Sequence, residues 1–299
     1  MTDPKPGEVA YRALQREART TRRTTQELLE LYALEGVLAR LSRSPLRDQF
    51  VLKGGVLLAA FGNRRPTKDV DLAALGVSND VDSILEMMRD ILTAEPDVGD
   101  GLKIDGKSLS AEVIRDEDEY AGVRVSAKAT LNTAQLSFRI DVNVGDPIYP
   151  EPADVTVPRL LGGEPITLRG YPLHMALAEK LVTALQRGTV STRWRDFGDI
   201  WTLTRHHSID GSDLQNAIAA VAKHRQTVMI PLPQALAGYA EIGQTRWAAW
   251  RRRTNNQSLP ERFNDVVTAV IIFGEPVLEQ TASGRSWNPQ AGEWERHGK

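Results

Sequence analysis

The 299-residue chain has no cysteine. Disulfides, thiolate metal sites and a cysteine nucleophile are therefore excluded. No apolar run approaches the length of a membrane span. The first 23 residues hold no apolar core of the kind a signal peptide needs, so a cytoplasmic location is expected. Net charge is also scarce: 37 Lys and Arg against 39 Asp and Glu leave −2. A nucleic-acid partner would have to meet a local basic patch on this chain, because the protein is not generally basic. Internal repeats and long low-complexity tracts are missing as well, which excludes solenoid and fibrous architectures.

The charge that is present is unevenly spread. Arg12, Arg16, Arg19, Arg22 and Arg23 cluster against a lone acid, Glu17, whereas residues 116–119 are wholly acidic. Arg251, Arg252 and Arg253 follow Trp247 and Trp250. Cations beside aromatics can pair phosphates and stack bases; the same pattern also suits a solvated helix face.

Thr24 and Glu27 form a capping-box pattern ahead of Leu28, Leu31, Tyr32, Leu34, Val37, Leu38 and Leu41, which recur at helical spacing. Ser44-Pro45 ends that helix. Phe50-Val51-Leu52 reads as a short buried strand, broken by Gly54-Gly55 and followed by a short helix from Val56 to Phe61. Residues 68–75 read as a second strand and 80–92 as an amphipathic helix. Two segments then alternate with period two: Val123, Val125, Ala127, Ala129 and Leu131, then Leu136, Phe138, Ile140, Val142 and Val144. Asn132-Thr133 turns the chain between them. Beyond a Pro-rich stretch, residues 147–158, helical patterns cover 171–188, 195–206, 212–223 and 260–273. The expected class is α+β: a mixed domain at 1–160 with an N-terminal helical arm, then a helical domain at 161–299 contributing to an active-site cleft. The last nineteen residues, from Thr281, read as a loose tail that Trp287 and Trp294 can pin.

Asp69 and Asp71 lie two apart on the second strand, so their side chains share a face while Val70 and Leu72 point to the core. Carboxylates held side by side repel, and a cation between them relieves this. Mg²⁺ suits such hard oxygen ligands when phosphates complete its shell. Asp141 falls on the outward face of the Leu136–Val144 strand with Arg139 and Asn143, and three acids on neighbouring strands are the parts of a two-metal site. Alone, Asp-x-Asp is equally the mark of a solvated strand edge. Gly54-Gly55 adds weight, since paired glycines let a backbone approach a triphosphate and a following helix N-terminus offers N–H groups to it. Lys180 shares a helical stripe with Ala176, Leu177, Leu181 and Ala184. An ammonium there must reach an acid or a phosphate, or else snorkel. Asp196 and Asp199, three apart on one helix face, can orient Lys180 or Arg193, or form a surface ion-pair set. His174, His206 and His207 read as helix-end residues.

Val51-Leu52-Lys53-Gly54-Gly55, followed by Arg65-Pro66-Thr67-Lys68-Asp69-Val70-Asp71-Leu72, resembles the AbiEii/AbiGii toxin family, which includes the MenT-like toxins. This family lies within the DNA-polymerase-β-like nucleotidyltransferase superfamily. Ala178-Glu179-Lys180 and Arg193-Trp194-Arg195-Asp196-Phe197-Gly198-Asp199 are similar to its later motifs, with Arg195 where many members have Lys. The resemblance covers about residues 25–205. It implies a polymerase-β-like domain that transfers a nucleotide from an NTP, with Mg²⁺ on Asp69, Asp71 and Asp141. Phosphates would lie against Gly54 and Gly55, with Lys53 or Arg65 and, from the helical half, Lys180 neutralising their charge. An RNA acceptor is implied, the tRNA 3′ end, whose blocking would stop translation, together with a cognate AbiEi-like antitoxin. Thr67, on the carboxylate face, is a possible point of modification that would block the nucleotide. Two alternatives stay open: transfer to a protein or small molecule, and nucleotide binding without transfer.

Overall fold

The computed structural model describes residues 5–94, 99–115 and 121–296. The acidic run at 116–119 lies outside them. The chain divides into two compact units, Met1–Asp146 with Ala153–Gly170, and Pro147–Pro152 with Tyr171–Lys299. Among the described residues, no helix is long and apolar enough to cross a membrane.

The first unit opens with helix α1 (Pro6–Thr21), started by a proline at its first position and buried along Gly7, Ala10, Leu14 and Ala18. Helix α2 (Thr25–Leu41) is capped as its sequence predicts, with the Thr24 side chain accepting from Glu27 N–H at 3.1 Å. The Glu27 carboxylate turns to Arg23 rather than completing the box. Most of α2 is buried, including Glu35 and Arg40. Each of these charges is compensated, as burial demands. Arg40 pairs with Asp100 at 2.8 Å and donates to the carbonyls of Gly36 and Leu102, while Glu35 accepts from Leu160 N–H beside Arg64 and Arg159.

Strand β1 (Phe50–Lys53) runs into the single-turn helix α3 (Gly54–Leu57) and a 3₁₀ turn to Phe61. Then come β2 (Asp69–Ala74), helix α4 (Val81–Thr93, capped by Asp80), β3 (Leu102–Arg115), β4 (Ala121–Leu131), β5 (Ala134–Val144), β6 (Ala153–Val157) and β7 (Ile166–Gly170). They form one sheet in the order β3-β4-β5-β2-β1-β7-β6, parallel at β2/β5 and β1/β7 and antiparallel elsewhere. Val70 and Leu72, Val123 to Leu131 at odd positions, and Leu136 to Val142 at even positions are buried beneath α2 and α4. The alternate residues form the polar face. Asn132 turns β4 into β5 with φ 53, a left-handed conformation that asparagine tolerates.

The second unit contains α5 (Leu173–Arg187), α6 (Trp194–His206), β8 (Ile209–Asp210), α7 (Gly211–His224), α8 (Leu232–Ala235), α9 (Tyr239–Arg253) and α10 (Phe263–Leu278). Its end departs from the expected loose tail. β9 (Arg285–Asn288) and β10 (Glu293–Arg296) form a hairpin that extends β8. The two tryptophans anchor it: Trp287 donates to Thr204 O and Trp294 to Phe273 O, and both rings pack on Phe273.

A second departure concerns Trp247 and Trp250. Both are buried, at 0% and 5% exposure, in a core with Phe263. Neither ring is available to stack on a base. Helix α9 packs its aromatics inward and leaves Arg252 and Arg253 in solvent.

Candidate active site

Strand register brings the sequence-predicted acids together. Lys53 on β1 pairs with Asp71 on β2, Asp71 with Asp141 on β5, Asp141 with Arg124 on β4, and Arg124 with Glu112 on β3. One row of side chains thus crosses five strands, with Asp71 and Asp141 side by side on adjacent parallel strands. Asp69 lies one step along the same face, opposite Arg139.

Gly54 and Gly55 have a role here that their pattern alone does not disclose. Gly54 adopts φ +65, and a Cβ on it would stand 1.8 Å from Asp71 Oδ2. The Gly55 N–H donates to that same oxygen at 3.4 Å. The glycine pair therefore admits the Asp71 carboxylate against the backbone. Helix α3 is a single turn that the 3₁₀ turn to Phe61 continues. Thr67 and Arg65 flank Gly55: a Cβ there would meet Thr67 Oγ1 at 2.9 Å and an Arg65 guanidinium nitrogen at 3.4 Å. Thr67 Oγ1 donates to the Asp69 carbonyl at 3.4 Å.

Two ion pairs steady the row. Lys53 Nζ meets Asp146 at 2.5 Å, both groups nearly buried. Arg124 clasps both oxygens of Asp141, at 2.8 and 2.7 Å. Those hydrogen bonds to Asp141 raise the Arg124 pKa. The Asp71 pKa is also raised, from the ordinary 3.8 up to about 6, which here disfavours the charged form. Burial is the main cause; Lys53 opposes it, and Asp141 and Asp69 add to it. Arg124 and Asp146 were not among the residues the sequence singles out. Arg124 has the outward phase of the β4 alternation, a signal the sequence carries; Asp146 lies beyond β5 and only the fold brings it to Lys53.

Among the described residues, no three His, Asp or Glu side chains stand already arranged around a metal position. The donor chemistry nevertheless suits a hard divalent cation. Asp71 and Asp141 are adjacent carboxylates, and the charged form of Asp71, disfavoured first by burial and further by Asp141 and Asp69, is what a bound cation would favour. Asp69 and Asp71 would hold such an ion, with Asp141 joining once Arg124 yields it.

The helical unit holds a second cluster. Lys180 on α5 is 8% exposed, and its ammonium lies 2.9 Å from Asp196 and 2.8 Å from Asp199, both buried on α6. Asp196 also accepts from Arg193 at 2.7 Å. The lysine on an apolar stripe thus reaches two acids and does not snorkel. His174, at the start of α5, accepts from the Asp210 N–H, and His206, at the end of α6, bonds the Thr202 carbonyl one turn back.

A carboxylate row seated against a glycine pair on a mixed sheet, followed by a helical unit, defines a nucleotidyltransferase-type architecture. The chain belongs to the AbiEii nucleotidyltransferase toxin family, described as a type IV toxin–antitoxin system, whose family model matches residues 36–269. Among solved structures it is similar to the MenT4 nucleotidyltransferase toxin of Mycobacterium tuberculosis, at 17% identity and TM-score 0.54, covering 92% of this chain and 97% of that one. It is also similar to JHP933 of Helicobacter pylori, at 14% identity and TM-score 0.51, covering 86% and 94%. No curated protein sequence matches the chain. At these identities the structural likeness establishes the fold, and the family match establishes the toxin nucleotidyltransferase class.

Proposed function

We propose that the protein transfers a nucleotide from an NTP to an RNA 3′ end, in the tRNA acceptor stem, and so blocks translation. The observation that carries the transfer chemistry is the register that sets Asp71 beside Asp141, with Asp69 on the same face. Mg²⁺ bound by these carboxylates would activate the attacking hydroxyl and offset charge on the leaving pyrophosphate. The protein's own part is positional. Gly54 and Gly55 keep the Asp71 carboxylate close to the backbone, and Lys53 holds Asp146 while lowering the cost of a charged Asp71. Arg65, beside Gly55, is the cation we assign to the triphosphate. Lys180, Asp196 and Asp199 are assigned the helical unit's share of catalysis, a role supported by their convergence on one ammonium and their likeness to the family's later motifs.

The toxin class implies a cognate antitoxin, and we place its action in the same cellular compartment, the cytoplasm. Thr67, against Gly55, is the residue at which an added phosphate would crowd the site. Sequencing RNA 3′ ends after expression tests the proposal. Extra nucleotides on tRNA ends with the wild type, and none with Asp69→Ala, are expected. Unaltered ends in growth-arrested cells would refute it, and Thr67→Val that retains both activity and sensitivity to inhibition would remove the modification site.

A further inference from the structure

The row beside the catalytic one has a different chemistry. It runs Ser110, Ser126, Arg139 and Asp69 across β3, β4, β5 and β2. The next step along the face pairs Lys128 with Ser137. Together with Lys68, these residues line a groove of about 390 Å³ that ends at Asp69. Glu30 is the groove's other acid, and it is engaged by Gln26 at 2.9 Å.

Three features restrict what the groove can hold. Lys68, Lys128 and Arg139 are exposed, and among the described residues they form no ion pair. The hydroxyls of Ser110, Ser126 and Ser137 likewise make no hydrogen bond there. Apolar anchors are missing: Ala127 and Phe138 border the groove, but each is 3% exposed, its side chain turned into the core. A protein partner needs apolar or aromatic anchors at the centre of its interface. Hydroxyls interleaved with cations, and no exposed ring, match a sugar–phosphate backbone read without regard to base.

We infer that this groove carries the single-stranded 3′ end of the acceptor RNA, delivering its terminal hydroxyl to the Asp69, Asp71 and Asp141 row. The inference rests on the RNA reading given above and adds where the strand lies and how it is held. Binding is electrostatic and independent of sequence within the groove; any choice among RNAs is made elsewhere.

The test is fluorescence anisotropy of a single-stranded RNA with a free 3′ hydroxyl, titrated against salt without NTP. Wild type is compared with the Lys128→Ala/Arg139→Ala double variant. Each phosphate contact contributes ~0.7 to the slope of log affinity against log salt, so the variant's slope should be shallower by about 1.4. The loss should be the same for RNAs of unrelated sequence, and unchanged thermal unfolding and NTP binding would show the fold intact. An unchanged slope, a loss confined to one RNA sequence, or tighter binding of polyglutamate than of RNA would each overturn the inference. Transfer is read separately with labelled NTP. A wild type that binds RNA through the groove yet labels none would sink the transfer reading and leave the groove standing; a wild type that labels RNA while the double variant keeps its slope would do the reverse.

Discussion

Asp71→Asn should stabilise the N-terminal unit in the absence of divalent cations while abolishing nucleotide transfer. Burial, reinforced by Asp141 and Asp69, raises the Asp71 pKa from 3.8 to about 6 despite Lys53. Below pH 3.8 the carboxyl is protonated in both folded and unfolded chains and has no effect on stability. Between the two values the folded chain holds a proton that the unfolded chain has released, so stability falls as pH rises, and above 6 the penalty is complete. A displacement of this size corresponds to at most roughly 3 kcal/mol. Asp71 is half-buried, and solvent screening reduces the figure to about 1–2 kcal/mol. Asparagine is nearly isosteric and can still accept from the Gly55 N–H, so the substitution removes charge and little else. Thermal unfolding in EDTA at pH 5 and pH 8 is the assay. The variant should melt roughly 3–6 °C above wild type at pH 8 and show the smaller change between the two pH values. A variant that melts lower than wild type at pH 8, or that keeps the full pH dependence, would refute the assignment of Asp71 as the carboxylate whose charge burial penalises.

Three further outcomes are expected. Lys180→Met removes the buried ammonium that Asp196 and Asp199 share, leaving Arg193 on Asp196, and should destabilise the helical unit by about 3–5 kcal/mol; a melting temperature within a degree of wild type would contradict this. Gly54→Ala forces a side chain into φ +65 and against Asp71. It should cost about 1–3 kcal/mol and eliminate transfer, so retained activity would show that the Asp71–Gly54 approach is dispensable. Arg124→Gln frees Asp141 from its two-point clasp and should tighten Mn²⁺ binding, read by electron paramagnetic resonance, on the order of tenfold, the equivalent of one charge-assisted contact. Unchanged or weaker Mn²⁺ binding would mean that the clasp does not compete with the cation.

Much of the site was legible because it lies on strands whose alternation is clean. The period of Val70 and Leu72, and of Phe138, Ile140 and Val142, determines which way Asp69, Asp71 and Asp141 point, and the structure has them so. The Thr24 cap and four of the helices in the second unit are equally plain from local pattern. Other parts depend on partners distant in sequence. β3 has no clean period in the sequence, because it is an edge strand whose register slips between Asp105 and Ser110, around Gly106. β6 lies within the Pro-rich stretch and, among the described residues, pairs only with β7, and β7 joins the sheet through β1, a partner distant in sequence. In α9, Trp247 and Trp250 beside Arg251, Arg252 and Arg253 read on sequence as an RNA contact or a solvated helix face; Gly198 and Phe263, which only the fold brings to the two rings, settle them as core. The glycine pair illustrates the same point within the site. Its sequence suggests closeness to a phosphate; only the fold shows that Gly54 also makes room for the Asp71 carboxylate.

On the function proposed above, these carboxylates drive nucleotide transfer to RNA. The most direct measurement incubates the purified protein with α-labelled NTPs, Mg²⁺ and total RNA or total protein in parallel. The account predicts label at RNA 3′ ends with the wild type and none with Asp69→Ala. Label in protein with none in RNA, or RNA labelling that survives Asp69→Ala, would contradict it.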